Sequence, residues 1–297
     1  MTRKILHGIR VQTYQHPLDR KALVALEKMP GLPLLLKKIN EYGIDRLLRM
    51  QTKGGEFRVS PRNFPSLHNA LVETCKILDS PQPDLYLYRG EGHISTYAIG
   101  VEKPLVGINI EAMEWLSGEE LLFVLGHEIA RIEGRYLNYQ QLAVVMPLLK
   151  NLISSTTLGL GGLAASGLEV ALFNWIVMAK FTADRAGLLA CQDVDVAMTA
   201  LIKLGGLPEE YINPEVKQDF LAQAREFDID DLDRLDQVTK IFSFMEYQYP
   251  WVVMRASELL KWVDSGMYEQ LGRSIEPQPE LEHQEQQPEE WNFLSSW

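Results

Sequence analysis

The chain predicts a predominantly helical α+β fold in which a small β-sheet lies beside one helix carrying an adjacent histidine and glutamate. Three observations lead there. Apolar residues recur at helical spacing along much of the 297 residues, and 46 % hydrophobic content is enough for a sizeable core. The period changes in the block 84–110, where three short β-prone runs alternate with turn residues. Immediately after it, Ser117 followed by Glu119 and Glu120 marks a helix start, with a hydroxyl cap and acids in the first turn; this helix carries His127 and Glu128.

Taken in order, residues 19–49 read as helical pieces broken at Pro30-Gly31-Leu32-Pro33, because proline lacks the amide hydrogen and glycine favours turns. A short extended stretch follows at 56–60. Residues 65–78, PSLHNALVETCKIL, have apolar positions at helical spacing. The β-prone runs are 84–88 (DLYLY), 95–100 (STYAIG) and 104–110 (PLVGINI). Residues 142–179 are the most apolar region, interrupted by Pro147, Lys150, the Gly-rich run 158–162, Glu169 and Asn174. No apolar run reaches the ~18–20 residues that a bilayer span needs. The region reads as a buried helical hairpin or, alternatively, as a surface in contact with a membrane. A further helical region, 183–204, ends at Gly205-Gly206-Leu207-Pro208, and an acidic stretch at 226–236 precedes a helix near 255–263. Residues 1–273 are therefore expected to form one domain. The tail, 274–297, is Pro-, Gln- and Glu-rich and expected to be disordered.

The formal net charge is −11, and Glu276, Glu280, Glu282, Glu285, Glu289 and Glu290 of the tail contribute much of it. Such a balance argues against nucleic acid or an anionic membrane as an electrostatic partner. Cys75 and Cys191 are the only cysteines and read as reduced, buried thiols. No apolar leader with a cleavage site is visible, so the expected location is cytoplasmic, with membrane association through 142–179 as the alternative. The Gly-rich run lacks the Lys-Ser/Thr ending of a phosphate loop, and no Gly-x-Ser-x-Gly elbow occurs.

The chemistry concentrates at FVLGHEIARIEGRYLNY, residues 123–139. In the pattern His-Glu-x-x-His the two histidines fall roughly 40° apart around a helix, so both imidazoles reach one zinc ion. The Glu between them activates the metal-bound water. Here His127 and Glu128 are in place, but the second histidine position is Arg131. Arginine stays protonated and has no lone pair to donate. By itself a His-Glu pair reads more simply as a core histidine beside an acid; the flanking segments change that reading.

Those segments are Pro17-Leu18-Asp19-Arg20, GHEIARI, ADRAGLLACQD at 183–193 and YPWVVMRASELLKW at 249–262. In this order they resemble the HtpX-like and CAAX-prenyl-protease-like zinc metallopeptidases of the gluzincin type, over residues 17–272. The resemblance implies a zincin-like fold. It also implies a zinc ion held by two histidines and by a Glu that lies four residues before a supporting Asp. Carried over by position, His127 is the first ligand, Glu128 the general base, Arg131 the second ligand position, Lys180 the third and Asp184 the supporting Asp. Tyr249 stands where the family tends to have the His of His-Pro, and Ser95-Thr96 where it favours Asn-Ala.

Removing a dication from a carboxylate cluster leaves buried negative charge. Arg131 and Lys180 are expected to supply positive charge instead, facing Glu128 and Asp184. A weakly held ion using Asp184 or Glu133 as a substitute ligand is the competing possibility. The leading expectation is a catalytically inactive metallopeptidase homologue, a pseudopeptidase without a cofactor, that binds a polypeptide or scaffolds a complex. Its groove would be the strand at Ser95, Thr96 and Tyr97. The alternative is a divergent, active zinc-dependent metalloendopeptidase using His127 and Glu128. The tail, ending in WNFLSSW, is read as a partner-docking motif, as a segment packing back on the domain, or as a filler of the cleft.

Overall fold

The computed structural model describes residues 3–134, 136–153, 162–228 and 251–274. Tyr249, the acidic stretch beyond residue 228, the glycines 159 and 161 and the tail after residue 274 lie outside the described residues, and so do the expectations attached to them. Four helices come first: α1 (Val11–Tyr14), α2 (Pro17–Glu27), α3 (Leu32–Glu41) and α4 (Ile44–Gly55). The break at Pro30-Gly31 falls where expected, and a second one occurs at Gly43, whose φ of 68° suits glycine. His16 accepts the Leu18 amide and so caps α2, with Pro17 at the first helical position.

Asp19, in the first turn of α2, is fully buried. Its carboxylate accepts from Trp175 Nε1 (3.0 Å), Thr182 Oγ1 (2.6 Å), Tyr136 Oη (2.7 Å) and Gln15 Nε2 (3.2 Å). A buried carboxylate is tolerable only with such a donor set. This accounts physically for the Pro17–Arg20 segment: it nails α2 to the centre of the molecule.

A four-stranded sheet follows, with α5 (Pro65–Ile77) between its first two strands. The strands are β1 (Phe57–Arg58), β2 (Asp84–Tyr88), β3 (Thr96–Ile99) and β4 (Leu105–Asn109), in the spatial order β1-β2-β4-β3. Only the β2–β4 pair is parallel. The run 104–110 ends as a strand at Asn109 rather than Ile110. The Asn109 side chain accepts the Ala112 amide at 3.1 Å and starts α6 (Ile110–Trp115), a helix not anticipated from the pattern.

Helix α7 (Gly118–Glu133) carries the His-Glu pair. Its capping box is complete: Glu120 N–H donates to Ser117 Oγ (3.2 Å) and Ser117 N–H to Glu120 Oε2 (2.7 Å). Residues 120–130 are all buried, because α7 is enclosed by α5, the sheet and α9 (Gly162–Cys191). Where α7 and α9 cross, Gly126 faces Ala186 and Ala190, and Gly187 faces Phe123, so the backbones come close.

The region 142–179 resolves into α8 (Leu137–Ile153) packed on the first part of α9. Among the described residues no helix is long and apolar enough to cross a membrane. The expected start of a separate helix at residue 183 is corrected: α9 runs through to Cys191 and the break comes at Gln192, with φ 56°. No glycine or proline announces this turn. The Gln192 amide instead pairs with the Lys4 backbone, donating to its carbonyl (2.6 Å) and accepting from its N–H (2.9 Å). Helices α10 (Val194–Leu204), α11 (Pro214–Glu226), α12 (Val252–Asp264) and α13 (Met267–Ser274) complete the described chain. Helix α11, capped by Asn213 with Pro214 at its first position, was also not anticipated. Cys75 and Cys191 are free and buried, and burial pushes both thiols up to about 12.

Candidate functional site

The site forms where α7, α9, α12 and edge strand β3 meet. His127 and Glu128 are buried on α7; Lys180 and Asp184, one turn apart on α9, face them. His127 Nδ1 lies 2.9 Å from Asp184 Oδ1. Arg255 on α12 grips the same carboxylate with Nε on Oδ2 (2.8 Å) and Nη2 on Oδ1 (2.6 Å). Burial alone would raise the Asp184 carboxyl, but the charge and hydrogen bonds of Arg255, with His127, hold it well below the usual carboxylate range. Asp184 is therefore an acceptor, and the Nδ1 hydrogen of His127 points to it, which leaves the Nε2 lone pair. Burial, helped by Arg255, lowers His127 against the pull of Asp184 and Glu128, so the imidazole is neutral at pH 7.

Arg131, one turn along α7, turns back onto Glu128: its Nη1 lies 3.0 and 2.9 Å from the two carboxylate oxygens. Thr96 Oγ1 on β3 donates to Glu128 Oε1 at 2.7 Å. Three hydrogen bonds thus engage a carboxylate that a water-activating base would leave open on one side. Lys180 is half-buried, and its amine is pulled down to about 7, first by burial and then by the charges of Arg255 and Arg131. The strong cation opposite Asp184 is therefore Arg255 rather than Lys180. The repeating apolar face of α12 held the signal for it: Arg255 shares the stripe of Leu259 and Trp262, and arginine on a buried stripe requires a buried acid.

Thr96, His127, Glu128, Arg131, Lys180 and Arg255 line a cavity of about 840 Å³ that extends past β3 to α4 and α8, with Asp184 buried behind them. Ser95, Thr96 and Tyr97 all border it, but they face different ways. Thr96 and Ala98 point to α7, while the Tyr97 ring lies on the other sheet face over Gly107. The Tyr97 hydroxyl donates to Glu56 (2.6 Å to Oε1) and lies 2.9 Å from Thr52 Oγ1. Burial raises both the Tyr97 phenol and the Glu56 carboxyl. Glu133 is exposed and accepts from Ser80 Oγ at 2.8 Å, which takes it out of the metal-site geometry.

The His-Glu helix lies beside an edge strand, and the Asp that faces it comes from a second helix. Residues 61–263 match peptidase family M48. The chain belongs to this family. It is 30 % identical over 265 residues to the chloroplastic plastoglobule-localized metallopeptidase 48 of Arabidopsis thaliana, over 87 % of this chain and 74 % of that one. It is 24 % identical over 201 residues to protease HtpX homolog 2 of Methanosarcina mazei, over 60 % and 67 % of the two chains. No solved structure is significantly similar. The helical α+β architecture with its small mixed sheet is that of an M48 metallopeptidase fold.

Zinc fits the donor set of this M48 chain poorly. His127 offers one neutral nitrogen, Arg131 offers none, and Lys180 is divided between charged and neutral forms near pH 7. Among the described residues no group of three His, Cys, Asp or Glu side chains is placed to hold a metal ion.

Proposed function

We propose that this M48 homologue is a pseudopeptidase, which holds an extended polypeptide in the cleft beside β3 without hydrolysing it. The observation that carries the reading is Arg131: it occupies the second ligand position and spans both oxygens of Glu128. With Arg131 there, a dication beside His127 would meet a fixed positive charge, worth about 4 kcal/mol per unit-charge pair at ~4 Å and an effective dielectric near 20. A peptide needs none of the missing ligands, because an edge strand such as β3 binds through backbone hydrogen bonds. A net charge of −11 supports a polypeptide rather than a nucleic acid as the partner. The expected cytoplasmic location stays part of this proposal; the name of one relative places that protein at plastoglobules.

The test is metal content together with cleavage. The purified chain is incubated with excess zinc, freed of unbound metal and measured by elemental mass spectrometry, while a peptide library is assayed for binding and for hydrolysis. The proposal expects substoichiometric zinc, peptide binding indifferent to chelators, and no hydrolysis. About one zinc per chain, with cleavage abolished by Glu128→Gln, would establish the other reading, an active zinc-dependent metalloendopeptidase.

A further inference from the structure

Helix α4 presents two apolar side chains, Leu47 and Met50, to solvent and a charged pair to the protein. Leu47 and Met50 are 50 % and 60 % exposed and lie three residues apart, so they project side by side. Asp45 and Arg49 turn inward and pair at 2.9 Å, their side chains 17 % and 18 % exposed. Asp45 fixes this orientation by accepting from the Val101 amide (2.8 Å) and Gln141 Nε2 (2.6 Å). Thr52 is the one buried residue of α4, and it bonds to Tyr97. Polar contacts thus seat the helix, and the outward projection of Leu47 and Met50 follows from a defined orientation rather than from loose packing.

The α3–α4 turn adds Tyr42, 64 % exposed. Charge on this hairpin runs against the rest of the chain: residues 32–55 hold five Lys and Arg against two Asp and Glu, where the whole chain carries −11. Lys37, Arg46 and Lys53 are exposed on the same hairpin, Lys37 with its amine 3.8 Å from Glu41.

We propose that the α3–α4 hairpin is a peripheral docking face for an anionic lipid surface. Tyr42, Leu47 and Met50 enter the headgroup layer, while Lys37, Arg46 and Lys53 meet lipid phosphates. A hairpin that exposes apolar side chains and an excess of cations complements a partner that is apolar within and anionic at its rim, which a bilayer surface is. A two-fold contact between copies of the chain would instead bring the same basic face against itself. The cleft borders this face, because Leu48, Gln51 and Gly55 of α4 line the cavity. Docking would therefore set the cleft mouth close to the lipid surface, whether or not the cleft hydrolyses peptides.

The experiment is flotation of the full chain with phosphatidylcholine vesicles, with and without phosphatidylglycerol. The expected result is binding to the anionic vesicles at least about tenfold tighter than to neutral ones, weakened by added salt. Leu47→Glu with Met50→Glu should abolish it. Arg46→Glu with Lys53→Glu should remove the preference for anionic lipid. All four positions are exposed, so circular dichroism melting should match the parent chain and certify folding. No vesicle binding by the parent chain, or equal binding by both variants, would overturn the proposal. So would loss of self-association in sedimentation velocity, without loss of vesicle binding, on Leu47→Glu with Met50→Glu, which would assign the face to a second copy.

Discussion

Arg255 and Asp184 face each other in the core through two parallel hydrogen bonds, 2.8 and 2.6 Å long, and the same carboxylate takes His127 at 2.9 Å. One acid therefore orients the imidazole while one guanidinium keeps the acid ionised.

Arg255→Ala leaves the fully buried Asp184 without its guanidinium partner. The expected loss is about 3–5 kcal/mol in urea unfolding, the usual consequence of removing one partner of a buried pair. Adding Asp184→Asn should recover part of it, because the remaining group is then neutral. A loss under about 1 kcal/mol would mean that the pair behaves like a surface salt bridge.

If Arg131 and Lys180 are what keep zinc out, restoring ligand chemistry at both should let it in. R131H/K180E is expected to retain about one zinc per chain after removal of unbound metal, where the parent chain retains far less. The double variant remaining metal-free while still folded would place the obstacle elsewhere in the site.

Lys180 also makes a pH prediction. Folded, its amine titrates near 7; unfolded, it returns to about 10.4. Between those values the unfolded chain binds more protons, so this group makes stability rise with pH from about 7 to about 10, and its penalty is felt in full below 7. Lys180→Met should be stabilising at about pH 7 and should flatten that rise. Urea midpoints for both chains across the window decide it, and parallel curves would refute the shift.

The crossing of α7 and α9 predicts the response to added volume. A Cβ at Gly126 would lie 2.7 Å from Ala190 Cβ and 2.9 Å from the Ala186 carbonyl oxygen, which is backbone and cannot step aside. Alanine gains roughly 1 kcal/mol of helix propensity over glycine, but overpacking costs typically about 1–3 kcal/mol. Gly126→Ala should therefore lower the thermal midpoint, and a raised midpoint would show that the two helices separate freely.

Much of this architecture was legible before any coordinates. Ser117 with Glu120 announced the start of α7, because capping is a contact between residues three apart. The run 84–88 marked β2 to the residue, and alternation with turn residues placed β3 and β4 within one residue at most boundaries. One departure came where a distant residue decides. The end of α9 at Gln192 depends on the Lys4 backbone, 188 positions away. Helix α6 was hidden because Asn109 serves both as the end of a strand and as a cap.

The amino-acid sequence alone determined the family segments and their order, the His127-Glu128 pair, and the presence of Arg131 and Lys180 at the positions where the resemblance implies two ligands. These are identities and spacings, which a chain carries whatever its conformation. Only the tertiary structure decided which cation answers which acid. Arg131 reaches Glu128 because i and i+3 share a helix face, whereas Arg255 reaches Asp184 across 71 residues because α12 and α9 pack together. It also decided that Leu47 and Met50 face outward, since Asp45 seats α4 through partners on other elements. The physical reason is common to both: charge pairing and burial act through space, and their energies are set by neighbours that only packing assembles.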